Sequence, residues 1–245
     1  MHRVHVDKES WQGERIVLSE REQHHLLDVL RKGPGDRVQV FDGEGREARA
    51  CLVAPAGETQ RIVLQVVTEL SRAPVGPELN LLVALPKGKR MDIVVEKGTE
   101  LGISAFWPLV TDRVISRPDE RQSLTRCERW RRIAVSASKQ CGRALVPTVH
   151  EITPLADAID RFGRDAPLLF GDLRPGARGL RGVLADKRAG LERLGLLIGP
   201  EGDLTPQELT LLEDTGATGV ALGPLVLRVE TAALYAAAVL AYELS

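Results

Sequence analysis

The sequence predicts an α/β fold: a mainly parallel sheet with helices on both faces, preceded by a smaller β-rich unit. Three observations predict it. From residue 79 onward, short apolar runs alternate with helical segments, the pattern of parallel strands buried on both faces. The first seventy or so residues hold several short strands and one helix, which suggests a small barrel. Two glycine turns, Ile198-Gly199-Pro200-Glu201-Gly202 and Leu222-Gly223-Pro224-Leu225-Val226-Leu227-Arg228, each end an apolar run and lead into a helix. In open α/β sheets the edge made by such strand ends is where ligands bind.

Taken in order, residues 2–6 alternate as a short strand. Ser19 caps a helix, Glu22 completes a capping box, and His25, Leu26, Val29 and Leu30 share a face until Gly33-Pro34-Gly35 stops it. Segments 37–41 and 48–54 flank the hairpin signal Asp42-Gly43-Glu44-Gly45, and 61–70 reads as another strand. Ser71-Arg72-Ala73-Pro74-Val75-Gly76-Pro77 reads as a linker. Beyond it, strands are expected at 79–85, 105–110, 148–152, 168–170, 194–198 and 220–222. Helices are expected at 90–101, where Gly102 ends the segment, and at 120–140, which is long and basic. Thr153-Pro154 opens a further helix with a first-turn proline, and Thr205-Pro206-Gln207-Glu208 is a second capping box. Segment 174–190 is rich in Gly and Arg and reads as irregular in part. The chain closes on an alanine-rich helix, 230–243, suited to burial or to an interface.

Composition narrows the function class. The chain has 245 residues, 43% hydrophobic and 27% charged, the profile of a soluble globular protein. Aromatics make up only 4%, so the core must be aliphatic. The longest apolar stretch, 232–242, is far short of the roughly 20 residues a membrane span needs, and the N-terminus has no secretory apolar core. Three cysteines show neither CxxC spacing nor a neighbouring His pair, which argues against a disulfide framework or a zinc site and fits a cytoplasmic location. His24 and His25 are adjacent on a helix and point apart, so packing or surface exposure suits them better than a shared metal. No G-x-G-x-x-G, Walker motif or G-x-S-x-G elbow is present. Net charge is −1, but Arg121, Arg126, Arg129, Arg131, Arg132, Lys139 and Arg143 crowd one segment, and Lys87, Lys89 and Arg90 another. Such clusters are either the footprint of a phosphate backbone or solvated helix faces.

Five motifs in order carry a resemblance. They are Leu85-Pro86-Lys87-Gly88-Lys89-Arg90-Met91 with Glu96-Lys97-Gly98-Thr99-Glu100-Leu101-Gly102, then Gln140-Cys141-Gly142-Arg143, then the two glycine turns, the second continuing into Val229-Glu230-Thr231-Ala232. Together with Gln23-His24-His25-Leu26, Val29-Leu30-Arg31 and Gly35-Asp36, they resemble the bacterial 16S ribosomal RNA uracil-N3 methyltransferase family, part of the SPOUT superfamily of knotted methyltransferases. The resemblance implies a PUA-like β-barrel over residues 1–73 that helps bind RNA. It implies a SPOUT domain over 74–245 whose last segment threads a trefoil knot, with S-adenosylmethionine held in the knot. It further implies a homodimer with the site near the subunit interface, acting on ribosomal RNA in the small ribosomal subunit; the cysteine and histidine spacing above leads to no expected metal.

On this resemblance the cofactor pocket comprises Phe170, Gly171 and Leu173, then Ile198, Gly199, Pro200, Glu201 and Gly202, then Leu222, Gly223, Leu225 and Leu227. Glycines suit such a slot because they allow close backbone approach. Arg228 is expected to face cofactor and uracil and to stabilise the uracilate anion, a task for a permanent planar cation. Arg143 would bind a phosphate or a uracil oxygen, from the same or the other subunit. Glu230 is either a general base or a cap on the last helix. Arg31, Lys87, Lys89, Arg90, Arg129, Arg132 and Lys139 are the candidate RNA contacts. Asp203 stands where the family usually has a second glycine; it either caps the following helix, changes the turn or meets the ligand. A ribose 2′-O-methyltransferase of the same superfamily is disfavoured, because its asparagine elements are missing here. A non-catalytic RNA-binding or assembly factor is the other alternative.

Overall fold

The structure, a computed structural model, describes residues 1–53, 63–70, 76–115, 117–187 and 189–244. The expected linker lies mostly outside these residues, as do the ends of two expected strands at 54 and at 61–62. The chain forms two compact units: Met1–Pro74 with Val135–Val146, and Val75–Ala134 with Pro147–Ser245.

In the first unit, β1 (Arg3–His5), β2 (Trp11–Gln12), β3 (Arg15–Val17), β4 (Arg37–Phe41), β5 (Glu47–Val53) and β6 (Val63–Leu70) form one sheet in the order β1-β4-β5-β6-β3-β2. Only β1 and β4 pair in parallel. Every strand contributes to a single apolar core, from Val4 and Trp11 through Ile16, Val38, Val40, Ala50, Leu52 and Leu64. A sheet that points six strands at one core must curl, and the register shift between Arg49 and Ala50 adds to the bend. The hairpin between β4 and β5 forms as expected, with Asp42 Oδ1 accepting from the Glu44 and Arg46 N–H groups at 2.8 and 3.0 Å.

The helix of this unit departs from expectation. It begins as α1 (Glu20–His24) and continues as a π-helical turn, His25–Val29, closed by the Leu30 N–H bonding to the His25 carbonyl. The extra residue in that turn changes the phase. Leu26 is buried, while His25 and Val29 face solvent. Arg31, at φ +50°, ends the turn before the glycines are reached. Ser19 Oγ accepts from the Glu22 N–H at 3.4 Å, but the Glu22 carboxylate pairs with Lys139 at 2.7 Å instead of completing the box. Segment 135–146 also meets the sheet directly, through the Val146 N–H to the Gly43 carbonyl at 2.9 Å.

The second unit is built on β7 (Glu78–Ala84), β8 (Ala105–Val110), β9 (Thr148–Val149), β10 (Thr153–Pro154), β11 (Leu168–Gly171), β12 (Arg178–Gly179), β13 (Arg193–Ile198) and β14 (Thr218–Ala221). Their order is β10-β8-β7-β13-β11-β14-β12, with β9 also on β8, and every pair is parallel. The apolar runs of β7 and β13 are buried almost throughout, as two-sided cover requires. On one face α4 (Leu155–Phe162) and α6 (Pro206–Asp214) close a core around Leu82, Trp107, Phe170 and Leu197. Strand alternation turns Leu81 and Val83 the other way. There α7 (Val229–Leu244) packs on β7 and β13 and against α2 (Arg90–Glu100) and α5 (Leu180–Lys187). The long α3 (Glu120–Cys141) is the expected basic helix.

Two expectations need adjusting here. Segment 174–190 holds β12 and the whole of α5, so it is more regular than its composition suggests. Thr153-Pro154 pairs with β8 as a strand, and α4 starts one residue later without a side-chain cap. The second capping box is realised in full. Thr205 Oγ1 accepts from the Glu208 N–H at 3.2 Å, and Glu208 accepts from the Thr205 N–H at 2.8 Å.

Candidate active site

Strand order assembles the site. β11 lies between β13 and β14, all three parallel, so the turns that follow them emerge side by side. Together they enclose a cavity of about 550 Å³, within the range of small-molecule sites.

The turn after β11 supplies Gly171, Asp172, Leu173 and Arg174 to the wall. Asp172 fixes its shape. Its carboxylate accepts from the Arg174 N–H at 2.9 Å and from Arg174 Nη2 at 2.8 Å, and Arg174 also reaches Glu213 at 2.8 Å. The Arg174 guanidinium holds the Asp172 carboxyl below its ordinary range. Asp172 packs flat on Gly219 of β14, where any side chain would collide with it.

The turn after β13 supplies Ile198, Gly199, Pro200, Glu201 and Asp203. Glu201 accepts from the Lys87 N–H at 3.3 Å and from Arg90 at 3.2 Å. Arg90 Nε lies 3.4 Å from Glu230 Oε1, so one guanidinium ties this turn to the start of α7. Asp203 has φ +63°, the left-handed conformation that a glycine adopts freely and that aspartate tolerates better than most residues. Its N–H bonds to the Pro200 carbonyl at 2.9 Å, and its Oδ1 accepts from the Leu204 N–H at 2.8 Å.

The turn after β14 supplies Leu222, Gly223, Leu225, Leu227 and Arg228. Gly223, at φ +141°, holds a backbone conformation that residues with side chains rarely adopt. Arg228 is exposed on the wall and forms no ion pair with a described residue.

Two expected cofactor residues stand behind the wall. Phe170 is fully buried in the sheet core, and Gly202 turns its carbonyl to Arg113 Nη1 at 2.7 Å. Glu230 follows the wall residues Arg228 and Val229, with one oxygen toward Arg90 and the other buried without a hydrogen-bond partner among the described residues. Arg143 belongs to the first unit. Arg3, which also pairs with the buried Glu47, donates to the Arg143 carbonyl at 2.9 Å, and burial pushes the Arg143 guanidinium below its ordinary value. Arg174, Gly176, Ala177, Val220, Ala221, Val229 and Ala232 also line the wall without having been expected as cofactor contacts. The Asp-x-Arg spacing of residues 172–174 was the available signal for the first.

Among the RNA candidates, Arg31, Lys87 and Lys89 are exposed and make no ion pair with a described residue. Arg90 is held as above. Arg129 binds Asp92 at 2.6 Å, Arg132 binds Glu128 at 3.2 Å, and Lys139 binds Glu22 at 2.7 Å. Among the described residues, no cluster of His, Cys, Asp or Glu could hold a metal ion.

Comparison with known proteins identifies the family. Residues 72–241 match the family model of an RNA methyltransferase domain, and residues 18–60 that of an RNA methyltransferase PUA domain. The chain is 33% identical to ribosomal RNA small subunit methyltransferase E of Mycobacterium tuberculosis, over 91% of this chain and 85% of that one. It is 28% identical to the Bacillus subtilis protein of the same name, over 92% and 89%. Among solved structures, the Neisseria gonorrhoeae ribosomal RNA small subunit methyltransferase E bound to S-adenosylmethionine superposes with a TM-score of 0.83 at 30% identity, covering 98% of this chain and 96% of that one. A Legionella pneumophila protein solved with the same cofactor gives 0.83 at 28% identity, covering 98% and 97%.

Proposed function

The chain belongs to the family of RNA methyltransferases with a PUA domain, and from that premise we propose that it transfers the methyl group of S-adenosylmethionine to N3 of a uridine in 16S ribosomal RNA of the small subunit. The observation that carries the reading is the convergence of the three turns on one cavity with Arg228 on its wall.

The cavity fits the donor. It joins apolar walls from Ile198, Leu222, Leu225 and Leu227 to charged groups at Asp203 and Arg228, a combination suited to a purine ring with a polar tail. S-adenosylmethionine supplies an electrophilic methyl on a cationic sulfur. The chain's own task is to make uracil N3 electron-rich. Arg228 stabilises the uracilate, whose charge spreads onto two carbonyl oxygens, with a charge that does not titrate. Glu230 has one oxygen without a hydrogen-bond partner, which makes it the candidate to accept the N3 proton. Arg90 keeps that carboxylate in place and ties the Glu201 turn to the same point. Arg143 binds a phosphate or a uracil oxygen, and Arg31, Lys87 and Lys89 add backbone contacts. Because N3 takes part in base pairing, the target must be unstacked or lie in an irregular region.

In this reading the first unit is the PUA-like RNA-binding domain and the second is the knotted catalytic domain. The working unit is a homodimer in the cytoplasm. An exposed face of α7 supports the dimer: Thr231, Tyr235, Ala238 and Tyr242 recur at helical spacing. Leu225 and Val226 are also exposed, at 74% and 78%. Among the described residues no helix is long and apolar enough to cross a membrane. Nucleoside mass spectrometry of small subunits from a deletion strain, before and after incubation with purified protein and donor, tests the proposal. Loss and return of 3-methyluridine is expected; loss of a 2′-O-methylated nucleoside instead would refute it.

A further inference from the structure

We propose that Asp203 makes the cavity select the cationic methyl donor over its neutral, demethylated product. The inference rests on the donor reading given above.

Three observations carry it. Asp203 lines the cavity, as Arg228 does. It occupies a left-handed backbone position at φ +63°, where glycine would fit without cost. Among the described residues it is also the wall carboxylate without a cation in ion-pair range. Asp172 is held by Arg174 and Glu201 by Arg90. The neighbouring Arg113 directs Nη1 to the Gly202 carbonyl and makes no ion pair with Asp203. One Asp203 oxygen caps the Leu204 N–H, which leaves its charge without an ion-pair partner among the described residues.

The two ligands differ in charge at the reacting centre. S-adenosylmethionine carries a sulfonium, an α-ammonium and one carboxylate, a net charge of +1. S-adenosylhomocysteine has a neutral thioether and no net charge. An unpaired carboxylate in the wall therefore favours the donor and eases departure of the product. A partly solvated charge pair of this kind is worth about a three- to fivefold difference in affinity.

Asp203→Asn isolates the charge. Asparagine also tolerates the left-handed conformation, and its amide oxygen can accept the same bond from Leu204. Asp203→Gly provides a second variant with a relaxed turn. Titration calorimetry of wild type and both variants with each ligand, at low and moderate salt, reads the ratio of dissociation constants. In both variants the donor should bind about three- to fivefold more weakly and the product should change by less than about twofold. The wild-type preference should shrink with added salt and that of Asp203→Asn should not. Equal weakening of both ligands, or an unchanged ratio, overturns the assignment. Wild type that binds neither ligand overturns the donor reading and this assignment with it.

Discussion

Replacing Gly219 with alanine should damage the site from beneath without touching a ligand. Gly219 lies in β14 opposite Phe170 of β11. A Cβ there would sit 3.0 Å from Asp172 Cβ and 3.1 Å from its Cγ, and closer still to Oδ2. Asp172 cannot swing aside cheaply. Its N–H is bonded to the Val220 carbonyl at 2.9 Å, and its carboxylate holds Arg174 through the backbone N–H, Nε and Nη2. Forcing a methyl into a packed site costs about 1–3 kcal/mol. Disturbing the ion pair, whose Arg174 side is about half exposed, adds at most about 1 kcal/mol. The sum, about 1–4 kcal/mol, corresponds to a fall in melting temperature of about 2–16 °C for a unit of this size. Because the turn after β11 forms one wall, affinity for S-adenosylmethionine should fall with it. Differential scanning calorimetry and titration calorimetry measure the two effects. Gly179→Ala is the control, since a Cβ there meets nothing within 4 Å. A Gly219→Ala protein that melts within about 1 °C of wild type and binds the donor normally would refute the packing of Asp172 on this strand.

Three further outcomes are expected. Arg228→Ala should abolish methyl transfer while leaving donor binding mostly intact, as single-turnover assays and calorimetry would show; a fully active variant would remove Arg228 from the mechanism. Asp172→Asn should lower stability at neutral pH and matter progressively less in acid. Its carboxyl is held below the usual range by Arg174, so the folded state binds fewer protons than the unfolded one. That stabilisation is present above about pH 4, the ordinary carboxyl value, and is lost as pH falls through the lowered folded value. Thermal melts across pH would test the sign. Tyr235→Asp combined with Tyr242→Asp should convert a dimer to a monomer in sedimentation equilibrium, because both side chains lie on the exposed face of α7. A dimer that survives both changes would place the interface elsewhere.

Much of the site is legible in the chain because its signals are local. A glycine after an apolar run, a threonine three residues before a glutamate, or an aspartate before a glycine at a hairpin each act within a few residues. The turns 199–203 and 222–228 and the Thr205 cap therefore appear where they are expected. The helix near Ser19 shows where such reasoning stops. Its apolar spacing assumes 3.6 residues per turn, and a single π-helical turn rotates His25 and Val29 to solvent. Helix α5 escaped notice because glycines and arginines disguise a segment that packs mainly through Leu180, Val183 and Leu184.

Charge was the least readable property. The sequence by itself shows that Arg90, Arg129 and Lys139 are basic, but their partners Glu201, Asp92 and Glu22 lie 111, 37 and 117 residues away. No local rule brings those carboxylates in, so only the tertiary structure separates held cations from the exposed Arg31, Lys87 and Lys89. The same holds for the cavity. Each turn is determined by its own residues, because φ preferences and caps are short-range. That the three turns are neighbours follows from β11 inserting between β13 and β14. Parallel strands are joined through helices that carry no record of strand order, so their adjacency is decided by which apolar faces pack together.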